Sequence, residues 1–457
     1  MRKKIITTVF EAIIIFSMIF IYNTFFYSNY DHIIDFTHCY SIANGLKIYK
    51  DFNIVVGPIY PIFISIFLKI FGKTFLTFNL INSLFVVIIY LIIKKFNKNT
   101  LAILIISCCC YALTAKYNTF TLLLFYIIYY IDKGNNKYKD YLIGFLLSIL
   151  LFTKINVGCA LIIPTIVLNI KSPKIILKRF IPFFITSSII IFIMWLKGVL
   201  PGFINYTLLG LISFTKNSKC DLTVVLVILS AIYIIKNIKK DKYLIYMLCY
   251  LIICYPLFES GHVLIGIFPT IIYMLDKMNK NNEKKVKLIS LIITIIVFAL
   301  LIITENHRNN YDLDMKVFKC ETKYCSHDKM LNKVFGYVHS FNNHLKKQKQ
   351  YRIFNFTYEA YFFKLDINEK VDKYDFIWDG NMGYKGEKKI IKEINDYCKD
   401  NKCMFIINKR NIHNRNRFDQ INLRILKYVE ETYNEITDDN YFNSTFFSVY
   451  TNDKTSN

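Results

Sequence analysis

Long apolar runs separated by short basic loops fill the first two thirds of the chain and restrict what it can fold into. The chain has 457 residues, of which 54% are hydrophobic and 17% aromatic, yet its formal net charge is +24. Uncharged runs of this kind exclude a disordered chain, a small disulfide-stabilised protein and an ordinary soluble enzyme. They predict a mainly helical, polytopic membrane protein, in which a spanning helix needs about 20 apolar residues.

The first run follows Arg2-Lys3-Lys4 and has no small-residue cleavage site after it, which is typical of a retained span rather than a secretory signal. Together with ten later runs it predicts eleven transmembrane helices, several of them shorter than the ideal length. The runs are Ile5–Phe26, Phe75–Ile93, Leu101–Ala115, Tyr117–Ile131, Tyr141–Phe152, Ile155–Ile170, Ile181–Leu196, Leu222–Ile235, Tyr243–Pro256, Val263–Leu275 and Leu288–Ile303.

Basic residues cluster in alternate loops between these runs. Residues 1–303 contain 31 basic and 11 acidic residues, a net charge of +20, whereas the rest of the chain is only +4. Lys and Arg are enriched in cytoplasmic loops of membrane proteins. We therefore place the N-terminus in the cytoplasm together with the basic loops 94–98, 133–139, 171–179, 236–242 and 277–287. Because topology accounts for this charge, it does not indicate a nucleic-acid partner.

The stretch Pro58–Phe71 is apolar enough to be a further span, but a crossing there would invert every later loop against the charge pattern. We therefore predict an interfacial helix on the outer face of the membrane, within a first outer loop at 28–74. The other outer segments are then 153–156, 197–221 and 255–262. The transmembrane part comprises residues 1–304, and the chain after it is extracytoplasmic.

From Glu305 to Asn457 the composition becomes that of a small soluble domain, in which alternating strands and helices predict an α/β layer. The predicted elements are a helix at Leu331–Lys347, strands at Tyr351–Tyr358 and Tyr374–Asp379, a helix at Lys388–Cys398, a strand at Cys403–Asn408, a helix at Gln420–Thr432 and a strand at Phe446–Thr451. The glycine-rich stretch Gly380–Gly386 looks superficially like a phosphate-binding loop, but we interpret it as a turn without a ligand.

Two cysteine pairs in this domain, Cys320 with Cys325 and Cys398 with Cys403, have four intervening residues each. Zinc knuckles usually have two, so a zinc site is not indicated. An extracytoplasmic location allows disulfides, but the sequence does not fix their pairing. The acidic residues of the first outer loop are also too widely spaced to predict a divalent metal site. We therefore expect no required cofactor.

The first outer loop contains Asp31, Asp35 and His38, spaced i, i+4 and i+7. On a helix, this spacing places two carboxylates and an imidazole on one face. The alternative is an ordinary solvated acidic face. Further along the loop, Asp51 is either a turn residue or another site carboxylate.

Two other outer segments contain polar residues beside apolar runs. Lys154 and Asn156 lie in one of them, and Glu259 and His262 lie in the other. Lys154 is either a phosphate ligand or a helix-end residue at the lipid headgroups. Glu259 and His262 either belong to a site or form a polar cap on a pair of helices.

The order Asp31, Gly45, Tyr49-Lys50-Asp51-Phe52, Pro58 and Phe71-Gly72 resembles the first outer loop of the GT-C superfamily of integral-membrane glycosyltransferases. The likeness is closest to bacterial relatives of protein O-mannosyltransferases and aminoarabinose transferases. Thr153–Gly158 and Tyr255–His262 also look like the family, so the resemblance extends from the amino end to about Leu275. His32 stands where the family often has Glu, which leaves both Asp31 and Asp35 as candidates for the catalytic position; the spacing to Gly45 favours Asp31.

The resemblance implies an inverting transfer of a sugar from a polyprenyl-phosphate donor to a hydroxyl of a cell-envelope glycan, lipid or protein. Asp31 or Asp35 would be the general base. The residues implied in substrate binding are His38, Asp51, Lys154, Asn156, Glu259 and His262, with Lys154 and His262 stabilising the leaving phosphate. The alternative is a non-catalytic transporter, flippase or assembly subunit for lipid-linked glycans. Nearly uncharged spans and the lack of an internal repeat favour the enzyme.

Overall fold

Most of the apolar runs form helices, and the protein is mainly helical, as predicted. The computed structural model describes residues 2–21, 23, 30–96, 116–215, 219–220, 222–258, 260–279, 338–357, 359–366, 369–378, 380–409, 423–437 and 447–453. Up to residue 279 its helices are Arg2–Ile21, Tyr30–Ala43, Ile59–Phe71, Phe75–Phe96, Lys116–Lys133, Lys139–Leu151, Ile155–Val167, Pro173–Leu196, Leu200–Phe203, Gly210–Thr215, Val224–Asn237, Leu244–Tyr250 and Ser260–Asn279. A π-helix at Ile204–Leu208 and a 3₁₀-helix at Leu251–Cys254 join some of them.

The predicted count of eleven spans is not supported. Within the described ranges, two helical stretches are long and apolar enough to cross a membrane, Phe75–Lys95 and Pro173–Leu196. Other runs form shorter helices: Ile155–Val167 has 13 residues, which corresponds to about 20 Å at 1.5 Å per residue, less than the thickness of a bilayer core. The runs Leu101–Ala115 and Leu288–Ile303 lie outside the described residues, as does the predicted domain boundary at 304/305.

The chain divides into two compact units that do not follow chain order. The first unit combines Met1–Tyr40, Val56–Ile193 and Ser218–Leu313. The second combines Ser41–Val55, Met194–Asn217 and Asp314–Asn457. Parts of the first outer loop and of the outer segment 197–221 thus fold together with the C-terminal domain.

In the first unit, the helix Lys116–Lys133 packs against the helices Phe75–Phe96 and Lys139–Leu151. The C-terminal end of this helix lies in a buried polar cluster. There Asp132 accepts hydrogen bonds from the guanidinium of Arg179 and from the Tyr246 hydroxyl, the latter at 2.8 Å.

Residues from three predicted inner loops meet at this end of the helix. Arg179 also donates from Nε to Asp140 at 2.8 Å, and Lys133 pairs with Asp241 at 3.3 Å. Arg179 is only 2% exposed. Because a buried charge is stable only when it is paired, these ion pairs join the loops into one layer.

β1 and β2, at Lys219–Cys220 and Leu257–Phe258, pair in the first unit. The C-terminal domain has a mixed sheet of four strands, Arg352–Asn355 (β3), Cys403–Asn408 (β4), Asn434–Glu435 (β5) and Phe447–Thr451 (β6). Their order across the sheet is β3-β4-β6-β5. β3 and β4 are parallel, whereas β6 is antiparallel to both β4 and β5. Residues 338–345 are helical, and the other helices of the domain are Ala360–Asp366, Gly386–Cys398 and Arg424–Thr432.

The predicted strand at Tyr374–Asp379 is wrong, because residues 374–376 form a turn and a bend and residues 377–378 have no regular secondary structure. Asp372 accepts a hydrogen bond from the Tyr374 backbone N–H at 3.1 Å, and Asp375 accepts one from the Asp372 N–H at 2.8 Å. Phe376 has a φ of 59°. Aspartate side chains that bond to nearby backbone favour turns over strands, even where the apolar pattern alternates.

Two features of the domain answer questions that the sequence left open. Cys398 and Cys403 form a disulfide between the end of a helix and the start of β4. In the glycine-rich stretch, the backbone N–H groups of Tyr384 and Lys385 donate to the backbone and side-chain oxygens of Asn205, at 2.9 and 3.1 Å. These donors are therefore committed within the protein, in agreement with the interpretation as a turn.

Candidate active site

The helix Tyr30–Ala43 contains the carboxylates that the sequence singled out. It has the predicted spacing, but its acidic face is not solvated: Asp35 is 5% exposed and His38 is 8% exposed, whereas Asp31 is partly exposed. Burial lowers the pKa of His38 to about 3, so its imidazole is neutral at physiological pH. Asp31 is thus more accessible to solvent than Asp35.

Asp35 lies at the N-terminal end of the helix Lys116–Lys133. Its Oδ2 accepts hydrogen bonds from the backbone N–H groups of Lys116 at 2.5 Å and Tyr117 at 3.4 Å. Helix N-termini have unsatisfied N–H groups and a partial positive charge, and both favour a carboxylate. Burial and the negative charge of Asp31 nevertheless raise the pKa of Asp35 to about 8.

Lys116 extends a polar layer around Asp35. Its Nζ donates to Asn23 Oδ1 at 3.0 Å, and the side chain is 2% exposed. Asn79 donates to the Asn23 carbonyl at 3.2 Å, while its Oδ1 lies 2.6 Å from His32 Nε2. A buried lysine side chain among several amides, with its backbone N–H on a carboxyl group, is a polar arrangement of the kind found at functional sites.

Lys154 reaches the same end of the helix Lys116–Lys133. Its Nζ donates to Asn118 Oδ1 at 2.7 Å and lies 5.3 Å from the centre of the Tyr117 ring. Burial lowers the pKa of Lys154 to about 7, with a weaker opposite effect from Cys254. Lys154 is therefore poised between its charged and neutral forms near physiological pH, and a bound anion would favour the charged form.

The contacts of the remaining predicted residues in the first unit hold the fold together. Asn156 donates to the carbonyls of Ile252 and Tyr255, each at 3.2 Å, and so holds the chain after the 3₁₀-helix. His262 is buried, and its carbonyl lies 3.5 Å from the Cys254 thiol. Glu259 lies outside the described residues.

Asp51 belongs to the second unit, where it accepts a hydrogen bond from the Lys47 backbone N–H at 2.7 Å. The turn continues at Tyr49, whose hydroxyl lies 2.6 Å from Thr207 Oγ1. Thr207 in turn donates to the Ile54 carbonyl at 3.0 Å. The contact of Asp51 is that of a turn residue, which was one of the two alternatives.

Lys116 and Asn118 are site residues that the sequence reasoning missed. Lys116 is a single cation between two apolar runs, on the side that the charge pattern assigns to the outside. A lone cation at this position was the one sequence signal that could have indicated a site residue. The hydrogen bond between Asn118 and Lys154 joins residues 36 positions apart and could not be inferred from spacing.

Comparisons of the chain with protein-family models, with curated proteins and with solved structures find no match. Within the described residues, no group of three or more His, Cys, Asp or Glu side chains is arranged to hold a metal ion.

Proposed function

We propose that the protein is an integral-membrane glycosyltransferase of GT-C type that moves a sugar from a polyprenyl-phosphate donor to an acceptor hydroxyl on the outer face of the membrane. The observation that carries this proposal is the convergence of an acidic helix and two lysines on residues 116–118 of the first unit. Asp35 bonds the backbone there, Lys116 contributes its own ammonium, and Lys154 bonds Asn118.

Exposed apolar surface supports a membrane location. The helix Pro173–Leu196 exposes large side chains along its length, including Phe184 at 59%, Phe192 at 55% and Trp195 at 62%. A contiguous apolar surface of this kind is unfavourable in water and fits a lipid environment.

The two ends of the helix Lys116–Lys133 support the proposed sidedness. One end meets Asp35 and Lys154, from predicted outer segments, and the other meets Arg179 and Asp241, from predicted inner loops. The Cys398–Cys403 disulfide fits an oxidising compartment for the C-terminal domain.

The proposed chemistry is a single displacement at the anomeric carbon. Asp31 removes the proton of the acceptor hydroxyl as its oxygen attacks, the bond from the anomeric carbon to the phosphate oxygen breaks, and polyprenyl phosphate leaves with the electron pair. One displacement inverts the configuration. Lys154, which is partly exposed, receives the phosphate, and buried Lys116 adds positive potential. Asp35 orients the helix end that carries Lys116 and, through Asn118, contacts Lys154.

The test uses the purified full chain in proteoliposomes with a panel of polyprenyl-phosphate sugars and extracted cell-envelope acceptors. We expect radiolabelled sugar to move from at least one donor to an acceptor, with inverted anomeric configuration in the product. Movement of intact donor across the bilayer without any transfer, over the whole panel, would contradict the proposal and favour a transporter or flippase.

A further inference from the structure

The C-terminal domain contains a cleft of about 610 Å³ beside β3. This volume lies within the usual range of ligand-binding sites. Four basic side chains line the cleft, Lys346, Lys349, Arg352 and Lys364, together with two acidic ones, Glu369 and Asp372. None of these residues has a part in the proposed transfer site.

The cleft has four basic and two acidic side chains, and each acidic side chain pairs with a different basic one. Asp372 pairs with Arg352 at 3.0 Å, and Glu369 pairs with Lys364 at 3.6 Å. Lys346 and Lys349 are exposed, and across the described part of the chain their ammonium groups form no ion pair or hydrogen bond. Two positive charges therefore remain to attract an anion.

Arg352 is held in place before any ligand arrives. Its guanidinium carbon lies 4.5 Å from the centre of the Tyr397 ring and 4.9 Å from that of Phe354. The hydrogen bond to Asp372 takes one of its five donors. A guanidinium fixed by aromatic rings loses little conformational entropy on binding, so it suits recognition of a carboxylate or phosphate.

The rest of the lining suits a saccharide. Tyr351 lines the cleft, and its hydroxyl is anchored to Asp453. Asn342 and Asn355 also line the cleft, but they are 1% and 2% exposed and their amide groups are bonded within the protein, so they shape its wall. The carboxylates can accept hydrogen bonds from sugar hydroxyls, whereas they would repel the dense phosphates of a nucleic acid.

We propose that this cleft binds an anionic saccharide, with sugar hydroxyls on the carboxylates of Glu369 and Asp372 and a carboxylate or phosphate on Arg352, Lys346 and Lys349. That this saccharide is the acceptor of the transfer reaction rests on the proposed function; the binding itself does not.

The test is calorimetric titration of the detergent-solubilised full chain with three probes: oligogalacturonate, a glycerol-phosphate oligomer and neutral dextran oligosaccharide. We expect at least one anionic probe to bind more weakly as salt rises, and dextran to bind at least tenfold more weakly than that probe. Oligogalacturonate and the glycerol-phosphate oligomer distinguish a carboxylate from a phosphate ligand. The double variant Lys346→Gln/Lys349→Gln should lose about tenfold in affinity for the probe that binds.

The matched control is Lys388→Gln/Lys392→Gln, which removes the same charge from exposed positions on the helix Gly386–Cys398. It should bind like the wild type, and thermal melting of both double variants checks their folding. Absence of binding by both anionic probes, equal binding of dextran, or equal loss in both double variants would overturn the inference. Saccharide binding without sugar transfer would support this inference and contradict the proposed function. Sugar transfer without saccharide binding would support the proposed function and contradict this inference.

Discussion

Asp31 and Asp35 have the same side chain but different surroundings, and this difference separates their proposed roles. Asp31 is partly exposed, whereas Asp35 is buried and bonded to the backbone of Lys116 and Tyr117. A base must reach the proton that it removes, which favours Asp31. Asp35 instead fixes the helix end next to the lysines.

The raised pKa of Asp35 predicts a pH-dependent stability. The folded carboxyl, with a pKa of about 8, keeps its proton between about pH 4 and 8, where the unfolded one loses it. The contribution of Asp35 to stability should therefore fall as pH rises across this window, by at most about 1.4 kcal/mol per unit, and level off above it. The lowered pKa values of His38 and Lys154 act in the opposite direction, so the contribution is taken as the difference between the wild type and a variant without the carboxyl group. Melting temperatures in detergent from pH 5 to 9 check this.

Asp35→Asn, which retains an oxygen for the Lys116 N–H, should lack this contribution, so its stability should fall less, or rise more, with pH than that of the wild type. The exposed control Asp400→Asn should retain this contribution. Equal slopes in Asp35→Asn and the wild type would contradict the assignment of the titration to Asp35.

The lowered pKa of Lys154 makes a second prediction at this scale. Its ammonium is charged below about pH 7 and loses its proton above it, so phosphate binding should weaken as pH rises. Lys154→Gln should reduce affinity for polyprenyl phosphate about tenfold, the effect of one charge-assisted hydrogen bond, and remove most of the pH dependence. Titration of the protein in nanodiscs measures both effects.

The control for this experiment is Lys69→Gln, an exposed cation on the helix Ile59–Phe71. It should bind the lipid phosphate like the wild type. A similar loss in both variants would show that general charge, rather than the position of Lys154, governs binding.

At the scale of elements, hydrophobic pattern and turn chemistry predicted much of the structure. The helix Ile59–Phe71 and strand β4 match the predicted segments closely, because each has a clear apolar run with an abrupt start. The helix Tyr30–Ala43 has the spacing considered for Asp31, Asp35 and His38. The strand prediction at Tyr374–Asp379 was wrong because hydrogen bonds from the backbone to aspartate side chains favour a turn there, despite the alternating apolar pattern. The assembly of the site around residues 116–118 was not predictable, since it depends on contacts between distant parts of the chain.

The buried ion pairs at the other end of the helix Lys116–Lys133 should be important for stability. Arg179→Gln leaves Asp132 and Asp140 without their main cation, which typically costs about 3–5 kcal/mol for a buried pair. We expect a clear drop in melting temperature in detergent. The exposed control Lys171→Gln should melt like the wild type, and an unchanged melting temperature for Arg179→Gln would show that the cluster contributes little.

At the scale of the whole molecule, the charge of +24 is most informative when it is assigned to loops. Predicted inner loops bond one another in the first unit, and predicted outer segments also meet there. The second unit likewise combines two predicted outer segments with the C-terminal domain. Segments that the charge pattern assigns to the same side of the membrane thus lie together, whereas the predicted number of spans is not supported.

The proposed topology predicts the behaviour of reporter fusions. Alkaline phosphatase, which is active only outside the cytoplasm, should be active when fused after Asn457 and inactive when fused after Ser172 in the basic loop 171–179. Enzyme activity per amount of fusion protein is the measurement. An inactive full-length fusion beside an active one after Ser172 would contradict the orientation on which the site depends.

In the proposed reaction, the acidic helix Tyr30–Ala43 supplies the base for sugar transfer. The most direct measurement is the single-turnover transfer rate of Asp31→Asn beside that of Asp400→Asn, with donor binding measured in both. We predict that Asp31→Asn binds donor normally but transfers at least about 100-fold more slowly, as expected for loss of a general base, while Asp400→Asn matches the wild type. Transfer by Asp31→Asn at the wild-type rate would contradict the account.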